Sequence, residues 1–136
     1  MRIFLDANVL FSAAKSDSAV RRLLGLLIAE GHVLCADGYV AEEARRNLVA
    51  KGPAGLAELA ALLDRLEVAS VQTDLNIAAA LALPEKDRPV LVAAVRMQCA
   101  ALVTGDRAHF GPFYGSALAG VAIHSPRSLA EQLLER

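Results

Sequence analysis

Short runs of consecutive apolar residues alternate along the chain with longer stretches in which apolar positions recur at helical spacing. The first run, Ile3-Phe4-Leu5, has no polar alternation and stops at Asp6, which predicts a short strand buried on both faces. Residues 32–36 (HVLCA), 67–72, 100–104 (AALVT) and 121–123 predict further strands. Between them the pattern predicts helices over 9–15, 19–30, 39–50, 54–66, 75–83 and 90–99, and a terminal helix opened by Ser125-Pro126. In 19–30, Val20, Leu23, Leu24, Leu27 and Ile28 form one stripe, Ser16, Asp17 or Ser18 supplies the N-cap, and Arg21 and Arg22 fall on the solvent side. Thr73 or Asp74 can cap 75–83, and Pro89 suits the first turn of 90–99, where its missing N–H costs little. Residues 111–120, punctuated by Gly and Pro, read as a loop. Strands alternating with helices predict an α/β fold, a three-layer α/β/α sandwich around a central, mostly parallel sheet, formed by residues 1–136 as a single domain.

Composition narrows the setting. Hydrophobic residues make up 55% of the chain, yet no uninterrupted apolar stretch approaches the roughly 20 residues of a membrane span. Asp6 interrupts the first apolar run at once, so no leader is read there and a cytoplasmic protein is expected. Cys35 and Cys99 lie far apart in apolar runs without zinc-type spacing, and are expected to be buried free thiols. The formal charge of −1 does not by itself indicate a nucleic-acid binder.

Candidate chemistry comes from acids placed at element ends. In an open parallel sheet, ligands collect beyond the carboxyl ends of the strands. Two predicted strands end there in Asp6 and Asp106, while Asp87 stands at a helix start and Glu43 near a first turn. With Val40, Ala41, Ala44 and Leu48 as the buried stripe of 39–50, helical phase favours Glu43 over Glu42 as the inward acid, with Asn47 one turn on. Carboxylates converging in one place repel one another, and no Lys or Arg stands beside Asp6 or within 102–105 to neutralise them. A divalent ion would, and hard oxygen ligands suit Mg²⁺ or Mn²⁺. Such a site activates water and stabilises the leaving oxygen of a phosphodiester. Asn8 and Thr104 are neutral hydrogen-bonding groups suited to orient ligands or a scissile phosphate. Setting the four acids aside leaves 11 acidic against 14 basic residues, a mildly basic surface that permits a polyanionic substrate. Arg21, Arg22, Arg45, Arg46 and Lys51 could steer phosphates or simply solubilise helix faces.

LDAN at 5–8, EEARRNL at 42–48, KDRPVLVAAV at 86–95, LVTGDRAHF at 102–110 and IHSPRSLAEQL at 123–133 together resemble a PIN domain. At this size the chain resembles the toxin halves of VapBC-type toxin–antitoxin pairs. The resemblance implies a Mg²⁺- or Mn²⁺-dependent ribonuclease with Asp6, Glu43, Asp87 and Asp106 as the acids, Thr104 as the accompanying hydroxyl and Asn8 as the companion of Asp6. It also implies a homodimer neutralised by a small antitoxin. Two departures stand out: His109 occupies a place where many relatives carry a further acid, and is left out of the metal shell, and Glu42-Glu43 is a doublet.

Each acid alone has a simpler role. Asp6 and Asp106 suit turns, Asp87 suits a helix N-terminus, and Glu43 could pair with Arg46 or Asn47. None of these accounts for all of them at one sheet edge. His109 reads as a loop anchor, and His32 and His124 as strand-end residues without an identifiable partner. A phosphotransferase with a nucleophilic aspartate would need an acid where Asn8 stands and a later Lys that LVTGD lacks. An RNA-processing nuclease without an antitoxin, or a PIN-like domain that binds RNA or a partner without cutting, are the other readings.

Overall fold

A computed structural model describes residues 1–71, 74 and 76–134. Its centre is β1 (Arg2–Leu5), in which Ile3, Phe4 and Leu5 are completely buried. β1 pairs in parallel with β2 (Val33–Asp37) on one side and β4 (Ala101–Val103) on the other, with Phe4 opposite both Cys35 and Leu102. β3 (Glu67–Ala69) and β6 (Val121–His124) extend the parallel set outward. The six-stranded order β3-β2-β1-β4-β6-β5 therefore reverses direction between β1 and β4. At such a switch point the two neighbouring connections leave on opposite sides and open a crevice beyond the strand ends.

The helices cover this sheet as the apolar stripes require. Helix α1 (Ala7–Lys15) packs on α2 (Ala19–Ala29), α3 (Gly38–Lys51) and α4 (Leu56–Asp64). Helix α5 (Arg88–Arg96) lies against β2 and β4 with Val90–Ala94 buried, and α6 (Pro126–Leu133) lies against β6 and α2. Ser18, Asp37 and Ser125 cap α2, α3 and α6 by accepting hydrogen bonds from the first turn, as their residue types favour. Both thiols are free and buried. No described helix is long and apolar enough to cross a membrane. The mixed α/β fold with a mostly parallel sheet agrees with the sequence pattern.

Several local expectations change. Residues 76–83 do not form an α-helix: Ala78–Ala82 is a 3₁₀ segment that buries Ala80 and, just beyond it, Leu83, three residues apart and matched to the tighter coil. Thr73, Leu75 and Gln72, where a cap, a helix start and a strand end were expected, lie outside the described residues. The 111–120 segment contains a strand, β5 (Ala117–Leu118), antiparallel to β6. Its two-residue turn places Ala119 and Gly120 at positive φ, as a twisted hairpin requires. An Ala at that position hid the turn from the sequence. Arg21 does not face solvent freely, because its guanidinium donates to Ala13 O at 2.7 Å and Ala14 O at 3.3 Å at the end of α1. His32 meets the Met1 ammonium at 2.9 Å, and His124 Nδ1 lies 2.9 Å from Ser128 Oγ, so both histidines have partners.

Candidate active site

Asp6 stands where β1 gives way to α1, and three local demands fix it there. Its backbone N–H donates to Val103 O at 3.0 Å, extending the β1–β4 ladder by one residue. Its Oδ1 accepts from Ala7 N at 2.7 Å, capping α1, and its Oδ2 accepts from Thr104 Oγ1 at 2.8 Å. The turn-closing role is therefore real, but it uses only Oδ1, while Thr104 holds Oδ2 at the cavity that Asp6 lines. Asp6 is 4% exposed, and burial pushes its carboxyl up to about 6 against the pull of the Thr104 and Ala7 hydrogen bonds. Glu43 and Asp87 push it the same way.

Thr104, just past β4, is fully buried and acts as a hub. Its hydroxyl donates to Asp6 and accepts from Asp106 N at 3.1 Å and Asn8 Nδ2 at 3.3 Å. Asn8 Oδ1 in turn accepts from Gly105 N at 2.8 Å. These bonds clamp the β1–α1 junction to the segment after β4, so the hydroxyl expected to orient a phosphate is engaged in positioning Asp6 and Asp106. Asn8 lines the crevice itself, its amide held by Asp6 at a long 3.4 Å.

The remaining acids arrive from two helices and a turn. Glu43 projects from α3 into the same cavity, whereas Glu42 pairs with Arg45 at 2.6 Å beside a separate groove between α3 and α4. Asp87 precedes α5 yet makes no capping bond to it, so the helix start does not account for this carboxylate. Its segment is pinned by Tyr39 Oη donating to Lys86 O at 2.7 Å and by Arg88 Nε donating to Leu83 O at 3.0 Å. Burial raises the Asp87 carboxyl above its ordinary range; His109 pulls it down and Asp106 pushes it up. Asp106 Oδ1 accepts from His109 N at 3.1 Å, a turn that brings the imidazole back over the acids.

Asp6, Glu43, Asp87 and Asp106 thus line one cavity of about 380 Å³, together with Asn8, Asn47, Lys86 and His109. Lys86 reaches the acids from elsewhere in the chain, although no Lys or Arg stands beside Asp6 or within 102–105. It was invisible beside Asp6 in the sequence because the 84–87 segment reaches the crevice only through the fold. His109, read as a loop anchor, stands 2.7 Å from Asp87 Oδ2 and 3.1 Å from Asp106 Oδ2 through Nδ1. The signal that could have found it is its spacing from Asp106, one turn along a tight loop. The donor set is dominated by hard carboxylate oxygens with a buried, mutually repelling core, which fits Mg²⁺ or Mn²⁺. Asp87, Asp106 and His109 bring one ligand atom each to within 4.8 Å of one another.

Known proteins carry the same arrangement of elements. The PIN-domain family profile matches residues 2–108. The structure of VapBC2 from Rickettsia felis, bound to a promoter DNA fragment, is similar with a TM-score of 0.68 at 16% identity, covering 92% of this chain and 98% of that one. DNA-bound VapBC from Salmonella typhimurium gives a TM-score of 0.66 at 17% identity over 93% and 98%. VapC20 of Mycobacterium tuberculosis, described as a Sarcin-Ricin loop cleaving toxin, gives 0.58 at 16% identity over 78% and 91%. At these identities the likeness is one of fold. No curated protein sequence matches the chain.

Proposed function

The chain belongs to the PIN-domain family, and from that premise we propose that it is a Mg²⁺- or Mn²⁺-dependent endoribonuclease, the toxin of a toxin–antitoxin pair. The observation that carries this reading is the gathering of Asp6, Glu43, Asp87 and Asp106 into one cavity at the sheet's switch point. Buried acids so placed destabilise the fold unless a cation joins them, and proteins keep such arrangements where chemistry needs them. The fold likeness to VapC20 and to VapBC assemblies supports RNA as substrate and a small antitoxin as partner. A homodimer acting in the cytoplasm completes the reading.

In this reading Asp6, Glu43, Asp87 and Asp106 hold the divalent ion. The bound ion would supply an activated water and charge stabilisation at the phosphodiester's leaving oxygen. Thr104 holds Asp6 in one orientation through its 2.8 Å bond, so the carboxylate is not free to rotate away from the cavity. Lys86 offsets part of the negative field and attracts the phosphate that the acids alone would repel. Asn47, neutral and lining the cavity, is placed to donate a hydrogen bond to a phosphate or ribose oxygen, and Asn8 can do so by giving up its long 3.4 Å bond to Asp6. The test is cleavage of single-stranded RNA by the purified chain with Mg²⁺, Mn²⁺ or chelator. Cleavage that requires the ion and disappears in Asp6→Asn supports the reading; full cleavage by Asp6→Asn, or in chelator, overturns it.

A further inference from the structure

Beside the acid cavity runs a second depression, an open groove of about 670 Å³, and the two share Gly105 as a common border. The turn after β4 forms the ridge between them. Asp106 lines the acid cavity, whereas the next residue, Arg107, lines the groove. The two depressions are opposite in charge. Four acids line the first, with Lys86 among them. Arg107 and Arg127 line the second, and no carboxylate among the described residues does. Arg107 is exposed and has no ion pair among the described residues. Arg127, in the first turn of α6, pairs with Glu131 at 3.1 Å, but its side chain is 90% exposed, so that pair contributes little and gives way readily.

An aromatic ring completes the groove. Tyr114 Oη donates to Thr104 O at 2.7 Å, which fixes the side chain against the segment that carries Asp106. With the hydroxyl committed, the ring is what Tyr114 offers the groove. Gly111 lies between ring and arginine: a β-carbon there would stand 3.6 Å from Arg107 Cβ and 4.0 Å from Tyr114 Cε2. Cations beside a fixed aromatic ring are the parts of a single-stranded nucleic-acid site, in which the cations follow the phosphates and the ring stacks a base whatever its identity. An acidic protein segment would satisfy the arginines but leave the ring and the shared border with the acids without a role.

We propose that this groove binds single-stranded RNA, with Arg107 and Arg127 on its phosphates and a base stacked on Tyr114, so that the adjoining phosphate lies over the acids; the inference rests on the reading of the acid cavity as the place of RNA cleavage. The border at Gly105 then accounts for how a polyanion approaches a cluster of acids. The strand is held on the basic side of the ridge, and only the phosphate to be cut crosses to the acidic side. A β-carbon at 105 would stand 3.4 Å from Asn8 Oδ1, so a side chain there would rise at the crossing itself.

The test separates binding from cleavage on the whole chain. A short fluorescent single-stranded RNA is titrated in chelator over a range of salt concentrations. Arg107→Gln combined with Arg127→Gln should weaken binding about tenfold and flatten the slope of log affinity against log salt by about 1.4, for two phosphate contacts at about 0.7 each. With Mn²⁺ present, the same double variant should raise KM by a similar factor and change kcat less than about twofold. Arg107→Lys combined with Arg127→Lys keeps both charges and should restore most of the slope. Photocrosslinking of wild type to RNA containing iodouridine should mark Tyr114. An unchanged slope in the glutamine variant, or crosslinks that leave Tyr114 unmarked, overturns the inference and leaves the arginines to a protein partner; ion-dependent cleavage then keeps the nuclease reading standing. Binding with these signatures but no cleavage in either ion supports the groove and overturns the nuclease reading alone. If wild type neither binds nor cleaves RNA, both fall. The crosslink needs no substitution, so misfolding of a variant does not shelter the inference.

Discussion

The two ends of β1 handle charge in opposite ways. At the amino end, Arg2 donates to Met97 O at 2.9 Å and pairs with Glu67 at the start of β3, and the Met1 ammonium meets His32. Every charge there faces a partner of suitable kind, and the groups remain largely in water. At the carboxyl end, four residues along the same strand, Asp6 is buried and meets Glu43, Asp87 and Asp106. Like charges are gathered there and taken out of solvent, with Lys86 and His109 to oppose them. The first arrangement serves the fold at little gain, because exposed pairs contribute little. The second works against the fold, a cost that the proposed divalent ion would offset. The difference separates the part of the sheet that could be redesigned freely from the part that could not.

The comparison breaks first at Asp6. Asp6→Asn should lower RNA cleavage by about 10³-fold, since it removes a ligand and a fixed charge from the cation site. An assay with saturating Mn²⁺ reads this, and a loss of less than tenfold would mean that Asp6 is structural.

Stability should move the other way in the ion-free protein. The folded value of Asp6 is about 6, above the ordinary 3.8, so between those values the folded chain holds a proton that the unfolded chain has released. This contribution is most favourable below the window and is lost as pH rises through it, at a cost of about 3 kcal/mol by pH 7. Denaturant unfolding in chelator at pH 4 and pH 7.5 should show that slope in wild type and a flatter one in Asp6→Asn. Adding Mg²⁺ or Mn²⁺ at a hundred times its Kd should return about 2.7 kcal/mol to wild type at pH 7.5. Asp106→Asn, unfolded by denaturant under the same conditions, should gain far less from the added ion.

Thr104→Val keeps the shape and removes the hydroxyl that holds Asp6 and Asp106 N–H. The ion-free variant should lose about 2 kcal/mol at pH 7.5 and less at pH 4, where Asp6 is protonated, because the lost bond stabilises the charged carboxylate. Equal losses at both values would make Thr104 a packing residue. The smallest effect belongs to the other end of the strand. Glu67→Gln should leave cleavage unchanged, and any shift in melting temperature should vanish in 0.5 M salt, about a Debye length of 4 Å.

Much of this was open to reading in the chain itself. Ile3-Phe4-Leu5 followed by an acid announces a doubly buried strand and a group at its carboxyl end, because only a strand covered on both faces tolerates that run. Helical phase separates Glu43 from Glu42, and the structure has Glu42 on Arg45 and Glu43 in the cavity. The 3₁₀ segment Ala78–Ala82 and the β5–β6 hairpin were hidden, since short elements carry too few residues to establish a period.

Order along the chain, the alternation of strand and helix, and which carboxylates stand at element ends are local properties, written in hydrophobic period and residue type. Proximity is not local. That Thr104 holds Asp6, that Lys86 enters the cavity, and that His109 meets Asp87 follow from the reversal of strand order between β1 and β4 and from the tight turn after Gly105. Contacts across such distances in sequence depend on how the elements pack, which no single stretch of residues encodes.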